Sequence, residues 1–243
     1  MSGPTGQRAH LILLHGGGVG PWMWRPIARE LGDEVTVHTP TLPGHTPDGR
    51  GRFRDHDSAV ACVAEQVGLD SLAGEVTVVG FSLGGQTAIR LAERFPSRVH
   101  RLGVVSSLLR PQRGAALTAG LAALATPLAR NPKFAQAQAR ELLLPDELFP
   151  AYLEQSVHTH RDTLREVLRA NLSFVAPEQV LVHSRPTRFW WGGREPGAVR
   201  SGMSAAVAAH PNVEAITWPE GRHGIMFQDP ARFAAELRTL LAR

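Results

Sequence analysis

One cysteine in 243 residues, Cys62, leaves the chain no intramolecular disulfide. It sits in the Ala/Val-rich run 58–64 with no basic neighbour, so a buried structural thiol is expected. Lysine is as scarce: Lys133 is the only one among 26 basic residues. The formal net charge is just +4, and the arginines are scattered without a dense run. That distribution gives no footprint for nucleic acid or an anionic membrane surface. No apolar run approaches the roughly 18 residues of a membrane span, and residues 1–10 lack the charged-then-apolar pattern of a secretory signal. A soluble, cytoplasmic protein is expected. Phosphate-cradling signatures are missing too, with neither G-x-x-x-x-G-K-[ST] nor G-x-G-x-x-G present. His158 and His160, two apart on a helical segment, face different sides and make no metal pair. No metal, no nucleic acid and no membrane partner is expected; a small-molecule substrate and a monomer or homodimer are.

What is present is an ample core-forming content, 43% hydrophobic against 20% charged, which suits one folded domain with room for an insertion. Short apolar runs alternate with segments of helical period, the βαβ pattern of a parallel sheet covered on both faces. The predicted strands are 11–14, 35–38, 75–79, 98–106, 187–191 and 213–218. Helices are predicted over 22–31, 57–69, 82–95, 198–209 and 230–241. Between residues 109 and 183 the alternation stops. That stretch is Ala/Leu/Gln/Arg-rich, and Pro127, Pro132, Pro145, Pro150 and Pro177 divide it into short helices. The expected organisation is an α/β core of six mainly parallel strands flanked by helices, residues 1–108 and 184–243. A helical cap, 109–183, is inserted after the fourth strand.

Gly80-Phe81-Ser82-Leu83-Gly84 joins the third predicted strand to the helix after it. Glycines on both sides of the serine let strand and helix approach closely around a sharp turn, which lifts the hydroxyl clear of the backbone. Ser82 is therefore the expected nucleophile. Its proton needs a base, and His223 fits, because Gly221-Arg222-His223-Gly224 lies between the last strand and the last helix. The acid that orients the imidazole should leave a separate strand end between Ser82 and His223, which favours Glu195 in Gly192-Gly193-Arg194-Glu195; Glu220 is the rival. Two backbone donors should face the oxyanion, Leu83 after the nucleophile and Gly17 in His15-Gly16-Gly17-Gly18, with Gly18 as an alternative. Leu142, Leu143, Leu144, Phe149, Tyr152 and Leu153 are candidate pocket residues in the cap; Trp22 and Trp24 stand beside the Gly-rich loop.

These motifs together make the chain resemble α/β-hydrolase-fold serine hydrolases. The strand near residue 10 and Gly20-Pro21-Trp22-Met23-Trp24-Arg25-Pro26 are similar to the small esterase branch that includes methylesterases and hydroxynitrile lyases. The resemblance implies a six-stranded core, a helical cap and no cofactor. Two positions depart from it: relatives usually carry Asp where Glu195 stands, and many carry His where Phe81 stands. The expected activity is cleavage of an ester, lactone or thioester of a small, largely apolar substrate through Ser82, His223 and Glu195. The alternatives are a lyase or cyclase using the same residues, and a ligand receptor on a hydrolase scaffold.

Overall fold

The computed structural model describes residues 8–46, 51–124, 128 and 131–243. Six strands form one sheet: β1 His10–Leu14, β2 Thr36–His38, β3 Val76–Phe81, β4 Arg101–Val105, β5 Thr187–Gly192 and β6 Val213–Trp218. Their spatial order is β2-β1-β3-β4-β5-β6, and every pairing is parallel. The inner strands β3, β4 and β5 are buried at every position, whereas the edge strand β6 alternates. Near-continuous apolar runs mark strands covered on both faces, which is why they read so clearly in the sequence.

Helices cover both faces. On one, α2 His56–Val67 and α3 Leu83–Arg94 pack over Ile12, Leu14, Val76 and Val78. On the other, α1 Arg25–Leu31 and a long C-terminal helix, Pro230–Leu241, cover Leu11, Leu13, Val79 and Phe81. Trp24 is fully buried there and stacks on Phe233 at 6.4 Å, so it belongs to the core. The expected helix over 22–31 is a 3₁₀ turn, Pro21–Trp24, followed by α1, and Gly32 ends it. The second helix starts earlier than expected because Asp55 and Ser58 form a reciprocal capping box. Cys62 is only half-buried, and its Sγ accepts from Gln66 Nε2, so the buried-thiol expectation is corrected.

Between β4 and β5 the described residues hold helices and turns only: α4 Ala115–Leu124, α5 Pro132–Glu141, α6 Phe149–His158, α7 Arg161–Ser173 and α8 Glu178–Leu181. Pro132, Pro150 and Pro177 sit at helix starts, where a missing N–H costs nothing; Pro127 lies outside the described residues. The side-chain amide of Gln86 on α3 donates to Leu108 O at 2.7 Å and to Asn171 O at 3.0 Å. It ties α7 to the helix that follows Ser82. Completing the core are α9 Gly197–Ala209, the short α10 Ile225–Gln228, and α11, the C-terminal helix.

Candidate active site

In a parallel sheet all strands end at one edge, and the register brings Leu14, Phe81, Val105 and Gly192 close to that edge together. Ser82 follows β3 there with φ 54°, the left-handed region that a non-glycine residue rarely adopts. The turn is held tightly. Ser82 N donates to Val105 O at 2.8 Å, and Ser107 Oγ donates to Ser82 O at 2.9 Å. A Cβ on Gly80 would run into the Gly84 backbone, so this elbow closes only with glycine.

His223 arrives from the turn between β6 and α10. Its Nε2 lies 3.3 Å from Ser82 Oγ and its Nδ1 lies 2.9 Å from Glu195 Oε2. The Glu195 side chain is 0% exposed, whereas the imidazole keeps 30% of its surface. The other carboxylate oxygen, Oε1, accepts from Gly192 N at 3.4 Å, which turns the carboxylate back toward its own strand end. Glu220, the rival acid, is 70% exposed and pairs with Arg194 instead. Phe81, where many relatives carry His, lays its ring 4.8 Å from the His223 ring and so forms one wall of the imidazole slot.

The Gly-rich loop after β1 is shaped by two further histidines. Gly18, at φ 75°, donates its N–H to His45 Nε2 at 3.2 Å. Leu42 N–H donates to His15 Nε2 at 3.0 Å. Acceptor Nε2 atoms place the ring hydrogens on Nδ1, which donate to Gly16 O at 2.8 Å from His15 and to Pro43 O at 3.0 Å from His45. Both rings are buried and meet edge-on at 5.0 Å. Burial, helped by the neighbouring His45, pushes His15 down to about 3, and burial lowers His45 as well, so both rings are neutral at pH 7. The Gly18 amide is thus engaged, unlike those of Gly17 in the same loop and of Leu83, the first residue of α3. Neither donates to an acceptor among the described residues. The sequence marks His45 only by its place in the turn Pro43-Gly44-His45; its hold on the Gly-rich loop comes from the packing of the two loops.

A cavity of about 600 Å³ opens from Gly17 and Gly18 beneath the inserted helices, lined by Val19, Ala137, Leu142, Tyr152 and Leu164. Ser156 and Thr159 also face it, but their hydroxyls donate to Tyr152 O and Gln155 O within their own helix; Gln138 and the exposed Glu141 are the remaining polar lining, so the wall is mainly apolar. Of the pocket residues expected from sequence, Leu142 and Tyr152 line this cavity. Leu144 is buried in the core, and Leu143, Phe149 and Leu153 pack against that core. Trp22 packs edge-on against Tyr152. Among the described residues, no group of three or more His, Cys, Asp or Glu is placed to hold a metal ion. None of their helices is long and apolar enough to cross a membrane.

Known proteins agree with this architecture. An esterase from Exiguobacterium antarcticum superposes with a TM-score of 0.80 at 15% identity, over 97% of this chain and 92% of that one. A thermophilic esterase from Thermogutta terrifontis gives 0.77 at 18% identity, over 96% and 89%. Among curated sequences, the pimeloyl-[acyl-carrier protein] methyl ester esterase of Nitrosomonas europaea is 37% identical over 103 residues, 42% of this chain and 39% of that protein. Its counterpart in Aromatoleum aromaticum is 37% identical over 116 residues, 45% and 43%. Each of these sequence matches spans less than half of the relative's length. The profile of the alpha/beta hydrolase family matches residues 11–236, and this chain belongs to that family.

Proposed function

We propose that the chain is a serine esterase that cleaves the ester of a small, largely apolar acyl group through an acyl-enzyme. The observation that carries this reading is the unbroken relay from Ser82 Oγ through His223 to a fully buried Glu195. His223 Nε2 takes the hydroxyl proton as Ser82 Oγ attacks the carbonyl carbon, and Glu195 holds the imidazole in its Nδ1–H tautomer and stabilises the imidazolium. The amides of Gly17 and Leu83 receive the negative charge that develops on the carbonyl oxygen. Collapse expels the alcohol, protonated by His223; water then repeats the sequence and frees the acid. Residues 109–183 act as the cap, and the cavity beginning at Gly17 receives the apolar group. Methyl-ester cleavage by the curated relatives supports a small alcohol as leaving group.

The test pairs fluorophosphonate labelling with a panel of methyl and aryl esters of increasing acyl length. Ser82 is expected to label stoichiometrically, and Ser82→Ala to lose both label and turnover. Turnover that survives in Ser82→Ala overturns the nucleophilic reading. Labelling with no ester turnover points instead to lyase or cyclase chemistry on the same residues.

A further inference from the structure

The opposite edge of the sheet, where the strands begin, holds a second concavity that the relay does not use. It has a volume of about 280 Å³ and is lined by Glu75 before β3, His100 and Arg101 at the start of β4, His183 and Arg185 before β5, and Arg243. Arg185 is 5% exposed and faces no carboxylate. Its Nη1 donates to Val99 O at 2.9 Å, while its Nε finds no partner. Arg101 is buried as well; its Nη1 lies 2.8 Å from Glu75 Oε2 as an ion pair without hydrogen-bond geometry, and its Nε is likewise unpartnered among the described residues. Arg243 pairs with Glu214.

An ionised guanidinium taken out of water is costly unless a counter-charge and hydrogen-bond acceptors replace its hydration. At this edge Arg101 pairs with the half-exposed Glu75 and Arg243 with Glu214, which leaves the buried Arg185 without a carboxylate among the described residues. The two imidazoles add donors: His100 Nδ1 accepts from Val76 N and His183 Nδ1 accepts from Arg185 N, so in each neutral ring the hydrogen is on Nε2. Burial and the nearby Arg185 charge hold His183 below its ordinary range, which keeps it in that neutral donor form at pH 7. Donors outnumber acceptors around a space that fits a small tetrahedral anion, and planar guanidiniums match such an anion's oxygens.

We infer that this pocket, formed by Arg185, Arg101, His100 and His183 at the amino edge of the sheet, is a binding site for a phosphate-like oxyanion, either free phosphate or the phosphoryl group of a small metabolite. The site is independent of the Ser82 reading.

Thermal unfolding and isothermal titration with inorganic phosphate test it, on protein whose Ser82 has been blocked so that the ester site cannot take the anion. About 20 mM phosphate is expected to raise the melting temperature above that in chloride at equal ionic strength. Arg185→Met is expected to weaken phosphate binding roughly tenfold or more. Should Arg185→Met not fold, His183→Ala, at an exposed position, still reports, with a weakening of roughly threefold or more. Glycerol 3-phosphate in a second arm identifies the source: tighter binding than inorganic phosphate assigns the site to a phosphorylated metabolite, equal or weaker binding to the free anion. Equal melting temperatures in phosphate and chloride, or undiminished binding in both variants, overturn the inference.

Discussion

Three loops at the carboxyl edge of the sheet carry imidazoles, and they are built in two opposite ways. The His223 loop leaves its ring partly exposed, with one nitrogen on Ser82 and the other on a buried carboxylate. The loops bearing His15 and His45 bury their rings and commit all four nitrogens to backbone groups. A carboxylate partner stabilises a ring when it gains a proton; backbone partners of both kinds stabilise only the neutral ring. Under the proposed esterase reading, the same side chain serves proton transfer in one loop and loop shape in the others.

Replacing Ser82 or His223 by Ala tests the first loop most severely. Ester turnover is expected to fall by roughly 10⁵- to 10⁶-fold in kcat. Glu195→Gln preserves the shape of the relay but not its charge, and a loss of roughly 10³- to 10⁴-fold is expected. Glu220→Gln should change the rate by less than about twofold, since its ion pair with Arg194 is exposed. A larger loss in Glu220→Gln than in Glu195→Gln would reassign the acid.

The buried imidazoles, those of the His15 and His45 loops together with His56 at the start of α2, are tested by acid. A buried imidazole held below its unfolded value of 6.5 resists protonation in the folded state, whereas the unfolded chain takes the proton freely. Its contribution is intact above about pH 6.5 and is lost as the pH falls toward the folded value, about 3 for His15 and about 4 for His56, which burial also depresses. From pH 7 to pH 5 each of these two groups therefore costs about 2 kcal/mol. A drop of roughly 10 °C in Tm is expected from calorimetry. A Tm unchanged over that interval would show that these rings titrate normally.

The remaining effect is the most specific. His45→Ala frees the Gly18 amide and lets the Gly17 turn relax, so kcat is expected to fall roughly tenfold while KM stays within about twofold. Equal losses in kcat and KM would mean that His45 supports only the fold.

The sequence was most legible where local chemistry decides the outcome. Alternating apolar runs marked all six strands, and the last strand and last helix were placed to the residue. The glycines around Ser82 announced a turn that only they can make. Less legible were the features built from contacts distant in the chain. The pocket under the helices between β4 and β5 depended on which apolar residues turn inward and which hydroxyls bond their own helix, and half-burial of Cys62 depended on how α2 meets the loop at Thr41.

The choice between Glu195 and Glu220 shows the division plainly. Both stand within reach of His223 along the chain, and periodicity does not separate them. The β5–β6 register sets Gly192 opposite Trp218, and that pairing directs Glu195 inward onto Nδ1 while Glu220 points to solvent and Arg194. Gly17 and Gly18 divide in the same way, because His45 comes from a loop 27 residues away and takes one of the two amides. By itself the sequence determined the strands, the elbow, Ser82 and the position of His223, because these follow from period, glycine and chain order. Only the tertiary structure decided which carboxylate meets His223 and which glycine amide His45 engages, because those choices rest on hydrogen bonds between strands and loops far apart in sequence.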